Sequence, residues 1–110
     1  MFISCEEKNE RLVVLLSGRL DTLTAPDLDK AGSGWIEEGK IEVILNFADL
    51  EYISSAGLRS VLALSKGLVS QGGKLVLCGV SGMVEEVLSI SGFDSFLPIY
   101  PDVDGALDSF

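Results

Sequence analysis

Ile41-Glu42-Val43-Ile44-Leu45-Asn46-Phe47-Ala48-Asp49-Leu50-Glu51-Tyr52-Ile53-Ser54-Ser55-Ala56-Gly57-Leu58-Arg59 is the stretch whose reading decides the fold. Ile41, Val43, Ile44, Leu45 and Phe47 make it begin as a strand, apolar enough for burial on both faces. It ends by opening a helix. From about Ser55 to Ser70, the residues Leu58, Val61, Leu62, Leu64, Ser65, Leu68 and Val69 form an apolar stripe. Gly72-Gly73 stops that helix. A buried strand feeding an amphipathic helix points to parallel pairing through crossover units.

The same alternation continues on both sides. Downstream, Leu75, Val76, Leu77, Cys78 and Val80 form another buried strand. Ser81 is placed to cap a short helix whose Val84, Val87, Leu88 and Ser91 share a face, with Gly92 closing it. Residues Phe96 to Tyr100 read as a last short strand, and Val103, Ala106, Leu107 and Phe110 as a terminal amphipathic helix. Upstream, residues 1–7 read as an edge strand and Leu12 to Leu16 as a buried one, joined by a hairpin turn at Lys8-Asn9-Glu10. Thr24 is the expected N-cap of the first helix, with Pro26 in its first turn and Asp27 in capping-box position. That helix carries Leu28, Ala31, Trp35 and Ile36 on one face and ends at Gly39. Gly32 and Gly34 inside it each cost up to ~1 kcal/mol relative to Ala, so either tight packing wants them or the helix is irregular. The order is ββαβαβαβα. It predicts one α/β domain over residues 1–110, with a mixed, mostly parallel sheet of four to five strands and helices mainly on one side.

Composition narrows the function. Hydrophobic residues make up 47% of 110, enough for a core without staples. The formal charge is −9. That argues against nucleic acid, whose binding begins with phosphate neutralisation by Lys and Arg, and against an anionic membrane surface. No signal peptide follows Met1 and no apolar stretch reaches the ~20 residues of a membrane span, so a cytoplasmic location is expected. Cys5 and Cys78 both fall in apolar runs and read as buried free thiols of a reducing compartment. Trp35, Phe93 and Phe96 read as core.

Catalytic signatures are missing. The chain has no histidine, the usual general base at neutral pH and the commonest metal ligand. Its two cysteines lack metal-ligand spacing, neither phosphate-loop glycine motif occurs, and no carboxylate pair stands out. The expectation is a binding module, not an enzyme, with no cofactor and no metal.

Ser54 and Ser55 sit at the strand-to-helix junction. A serine there is among the best N-caps, worth about 1 kcal/mol. A serine hydroxyl at a helix start is also displayed beside free N–H groups that favour negative charge. Both readings hold if Ser54 caps and Ser55 is displayed. Ala56 and Gly57 are small, which serves either tight packing of the turn or close approach by another macromolecule.

Leu45 to Leu58 resembles the signature of the STAS family, specifically its stand-alone bacterial anti-sigma factor antagonists. Ser17-Gly18-Arg19-Leu20-Asp21, followed by Thr24, resembles the family's turn before its first helix. Gly72-Gly73-Lys74-Leu75 and Ile90-Ser91-Gly92-Phe93 resemble its entry to the next strand and the end of its third helix. The resemblance implies phosphorylation at Ser55, with Ser54 as the alternative acceptor. Ser54 stands where well-studied members have Asp, which replaces a charge by a hydroxyl beside the target. Ala56 stands where others have Ser or Thr, which removes a competing site. The resemblance also implies a partner switch. The unphosphorylated protein binds an anti-sigma factor, a serine kinase of the GHKL type, and frees a sigma factor. Phosphorylation ends the complex, and a metal-dependent serine phosphatase resets it.

The expected partner surface is Ser54, Ser55, Ala56 and Gly57, the following helix face near Arg59 and Ser60, and the turn Asp21-Thr22-Leu23. Asp21 either bonds toward the serine loop or builds its own turn. Arg59 is placed to steady a phosphate, meet a partner acid or remain solvated. Other readings are a scaffold STAS protein of a signalling assembly, an accessory STAS subunit of a transporter, and a small-molecule or lipid-binding module.

Overall fold

A computed structural model describes residues 1–110. The elements are β1 (Phe2–Lys8), β2 (Arg11–Leu20), α1 (Ala25–Glu37), β3 (Glu42–Ile53), α2 (Ser55–Ser70), β4 (Lys74–Cys78), α3 (Gly82–Ile90), a 3-10 turn (Phe93–Ser95), β5 (Ile99–Tyr100) and α4 (Val103–Asp108). The strands lie side by side in chain order. β1 is antiparallel to β2 and every other pair is parallel. The first hairpin closes through Asn9 and Glu10, at φ 51° and 66°. Positive φ at both central residues matches the twist of the flanking strands. The ββαβαβαβα order and the mixed, mostly parallel sheet are therefore present.

Two apolar layers sandwich the sheet. The larger joins Val14, Leu16, Leu45, Phe47 and Leu77 to Leu28 and Trp35 of α1, Val61, Leu64 and Leu68 of α2, and Val84 and Leu88 of α3. The smaller seats Ala106 of α4 on Val13, Ile44, Val76 and Cys78, with Phe110 packed alongside. Three helices thus cover one face and α4 covers the other. This is why β2, β3 and β4 read as continuous apolar runs. The Phe110 ring also lies 5.1 Å from the Arg11 guanidinium and 5.0 Å from the Lys74 ammonium.

Several boundaries and environments differ from the sequence reading. β3 does not stop at Phe47; it runs on to Ile53 because β2 also extends, pairing Gly18 with Leu50 and Leu20 with Ile53 through two irregularities. The final strand shrinks to Ile99–Tyr100, because the Phe96 and Leu97 N–H groups both bond back to the Phe93 carbonyl, at 3.3 and 3.0 Å, and Pro98 has no N–H to give. Phe96 is 54% exposed and is not core, whereas Trp35 is buried. Cys5 lies exposed on the edge strand β1, and only Cys78 is a buried thiol. Thr24 and Ser81 stand at the N-cap positions of α1 and α3, but neither side chain caps. Of the two α1 glycines, Gly32 has a packing reason. A Cβ there would lie 2.9 Å from Leu64 Cδ1 of α2, while one at Gly34 would meet nothing within 4 Å.

Candidate functional site

The parallel sheet delivers the C-terminal ends of β2 and β3 to one rim of the molecule, and the candidate residues gather there. Leu20 pairs with Ile53, and the Leu20 carbonyl accepts the Ser54 N–H at 3.0 Å. That bond ties the turn after β2 to the start of α2.

Asp21 organises the first half of the site. Its Oδ1 accepts the Leu23 and Thr24 N–H groups at 3.0 and 3.2 Å. Thr24 reciprocates: its Oγ1 accepts the Asp21 N–H at 2.9 Å and donates to the Arg19 carbonyl at 2.8 Å. The Asp21 carbonyl accepts the Ala25 N–H at 2.8 Å and so starts α1. Asp21 therefore builds its own turn. Partial desolvation raises its pKa, but the Thr24 and Leu23 N–H groups, the Thr24 hydroxyl and the Arg19 charge outweigh it and hold the carboxyl below its ordinary value. The turn leaves Thr22 and Leu23 projecting into solvent, Leu23 with 86% of its surface exposed.

The two serines divide the roles at the second half. Ser54 is extended, at φ −101° and ψ 175°, and its Oγ accepts the Gly57 N–H at 3.2 Å. Its carbonyl accepts the Leu58 N–H at 2.9 Å. Ser54 is the N-cap. Ser55 is the first helical residue and is exposed. The helix supplies no carbonyl for the N–H groups of Ser55 and Ala56, so positive potential remains at that spot. No acidic side chain occupies the first turn of α2.

Gly57 is buried against the sheet. A Cβ there would lie 2.7 Å from the Leu20 carbonyl oxygen and 2.8 Å from Leu20 Cγ. Its small size serves inward packing and not the approach of a partner. Ser60, expected on the exposed helix face, is 5% exposed, and its Oγ donates to the Ala25 carbonyl at 3.4 Å, joining α2 to α1. Ser60 is thus structural. Arg59 is exposed, one helical turn from Ser55, with no carboxylate within salt-bridge distance.

A shallow groove runs along this rim. Thr22, Ser55, Ala56 and Arg59 line it, and α3 contributes Met83 and Val87. Tyr52 forms part of its floor and stacks under Arg19, whose guanidinium carbon lies 4.1 Å from the ring centre. The sequence reading missed Tyr52, Met83 and Val87. Only the packing of α3 beside β3 brings the last two here.

Chemically, the rim displays a hydroxyl without activating it. No histidine exists to take its proton, and no group of three or more Cys, Asp or Glu side chains is gathered as metal ligands. No helix is long and apolar enough to cross a membrane.

The profile of the STAS domain matches residues 3–106. Over 110 residues the chain is 34% identical to BtrV of Bordetella bronchiseptica, covering 100% of this chain and 95% of that protein. Over 106 residues it is 30% identical to an anti-sigma F factor antagonist of Paenibacillus polymyxa, covering 96% and 91%. In three dimensions it superposes on the phosphorylated form of the Bacillus cell fate determinant SpoIIAA with a TM-score of 0.75, at 24% identity and 98% coverage of both chains. Against the unphosphorylated form the TM-score is 0.77, at 23% identity, over 98% of this chain and 96% of that one.

Proposed function

The chain belongs to the STAS domain family, and on that footing we propose that it is an anti-sigma factor antagonist working by partner switching, with Ser55 as the switch. The observation that carries this reading is the division of labour at the start of α2. Ser54 is committed to capping, while Ser55 stands exposed at the first helical position. The anti-sigma F factor antagonist of P. polymyxa, 30% identical over nearly the whole chain, supports the class of function.

In this mechanism the unphosphorylated rim binds an anti-sigma factor that is itself a serine kinase of the GHKL type, and a sigma factor is released. All of this takes place in the cytoplasm. The contact surface is Thr22, Leu23, Ser55, Ala56 and Arg59, framed by Ser54. Asp21, Gly57 and Ser60 hold that surface in shape from behind. The kinase transfers the γ-phosphoryl group of ATP to Ser55 Oγ. An O–P bond forms, the bond to ADP breaks, and the hydroxyl proton goes to a base on the kinase. A metal-dependent serine phosphatase reverses the modification by hydrolysis.

Phosphate adds about −1.5 to −2 charge at neutral pH. The fold tolerates it, because the new charge lies against the free N–H groups of the helix start and one turn from Arg59. The partner does not, because a surface shaped around a neutral hydroxyl now meets bulk and charge. The protein acts as ligand and substrate and is not an enzyme.

The test uses the purified kinase-type anti-sigma factor of the same organism and measures its affinity for three proteins. Wild type and Ser55→Ala should bind alike, and Ser55→Asp at least about tenfold more weakly, a loss of ~1.4 kcal/mol. Equal affinity for Ser55→Ala and Ser55→Asp contradicts the switch.

A further inference from the structure

The C-terminal third of the chain has a charge balance unlike the rest. From Gly79 to Phe110 there are six acidic residues and no Lys or Arg. Two-thirds of the net charge of −9 is thus concentrated there. Three of these acids, Glu85, Glu86 and Asp94, surround a groove between α3 and β5. Its apolar surface comes from Leu88, Ile90 and Ile99. Ile90 is 88% exposed and Ile99 37%, so the groove presents aliphatic surface to solvent. None of the three carboxylates is paired with a basic side chain, since the ion pairs of the molecule involve only Glu42, Asp21 and Glu38.

This groove is distinct from the serine rim. The two linings have no residue in common: α3 gives Met83 and Val87 to the rim, and Glu85, Glu86, Leu88, Ser89 and Ile90 to this groove. Exposed aliphatic surface bordered by three unpaired charges of one sign matches an interface whose apolar centre excludes water and whose charged edge selects a complementary partner. A second copy of this chain is disfavoured, because it would bring two acidic grooves together.

We propose that the groove between α3 and β5 docks a basic amphipathic segment of a second protein. One or two aliphatic side chains of the segment seat beside Ile90 and Ile99, and flanking Lys or Arg residues pair with Glu85, Glu86 and Asp94. Binding there is independent of Ser55. The protein can therefore be held by one partner while its rim switches between others.

The test titrates the full chain with an 18-residue amphipathic Leu/Lys helical peptide and follows backbone amide shifts by NMR. Four variants accompany wild type: Ile90→Ser, Glu85→Lys with Glu86→Lys, Asp104→Lys with Asp108→Lys as a charge-matched control on α4, and Ser55→Asp. All replace exposed side chains, and unchanged amide spectra outside the mutated sites verify folding. Saturable shifts centred on residues 85–99 are expected. Affinity should fall at least tenfold in Ile90→Ser and in the Glu85/Glu86 variant, and by less than threefold in the control and in Ser55→Asp. Shifts spread over the whole acidic surface, equal losses in the charge-matched pair, or the absence of saturable binding would each overturn the proposal. So would sedimentation showing a dimer with these residues at its interface. A failure here leaves the Ser55 switch untouched, since that is read by a different partner through residues that do not line this groove.

Discussion

At the residue scale, two adjacent serines stand in different environments, one capping a helix and one exposed, and substitution separates them. Ser54→Ala removes the side-chain acceptor of the Gly57 N–H and should lower stability by about 1 kcal/mol. Ser55→Ala touches an exposed side chain and should stay within about 0.5 kcal/mol of wild type. Denaturant midpoints compare the two directly. Asp21 adds a pH signature. Its carboxyl is held below its ordinary value by the hydrogen bonds of its turn, so the folded state favours the ionised form. That stabilisation is present above the unfolded pKa of about 3.9 and is lost as pH falls through the lower folded value. Asp21→Asn should therefore flatten the acid limb of the stability profile below about pH 4 and leave its shape above pH 5 unchanged. A steeper limb in the variant would contradict this role. Ser60 shows how a residue can be misread at this scale. As a polar residue beside Arg59 it reads as surface, yet Gly57 and Leu64, three before and four after it, are both buried and mark the inward face of α2.

At the element scale, glycines report how closely neighbouring elements approach. Gly34 lies in α1 with open space where a Cβ would go, so Gly34→Ala should stabilise by about 0.5–1 kcal/mol through helix propensity alone. Gly57 is also helical, but a Cβ there would strike the Leu20 carbonyl. Gly57→Ala should destabilise by about 1–3 kcal/mol despite the better propensity. Thermal or denaturant unfolding of the pair checks the opposite signs. Element order was legible in the sequence because the strands are apolar runs and the helices carry 3.6-residue stripes. The full length of β3 was not. The continuous apolar run ends at Phe47 and charged Asp49 and Glu51 follow, but Leu50 and Ile53 are buried and β2 extends to pair with them. The caps also misled. Thr24 has the right chemistry for an N-cap, but its hydroxyl is taken by the Asp21 N–H and the Arg19 carbonyl. Position and competing partners decided the outcome, and neither is visible in composition.

At the scale of the whole molecule, the serine rim and the acidic groove beside β5 both draw on α3, and the sheet divides the layer beneath α1, α2 and α3 from the layer under α4. The serine pair and the Asp21 turn were legible as local motifs. Tyr52, Met83 and Val87 at the rim, like Ile90 and Ile99 in the groove, are brought together only by packing. The layer under α4 makes its own prediction. Cys78 is fully buried there, and burial, aided by the Asp102 charge, pushes its pKa up to about 11. Cys5 is exposed on β1. Native protein should therefore offer one thiol to a disulfide reagent at neutral pH, and none after Cys5→Ser. Cys78 should react only on unfolding, and fast labelling of two thiols in the native state would mean that α4 does not stay seated. The central claim, that Ser55 is the switch, meets its most direct test in mass spectrometry. Wild type, Ser54→Ala and Ser55→Ala are incubated with ATP and an extract of the source organism, and the products are analysed intact and as peptides. One added phosphate on wild type and on Ser54→Ala, mapped to Ser55 and absent from Ser55→Ala, is the predicted result. Phosphate mapped to Ser54 or elsewhere, or none in an extract with demonstrable kinase activity, contradicts it.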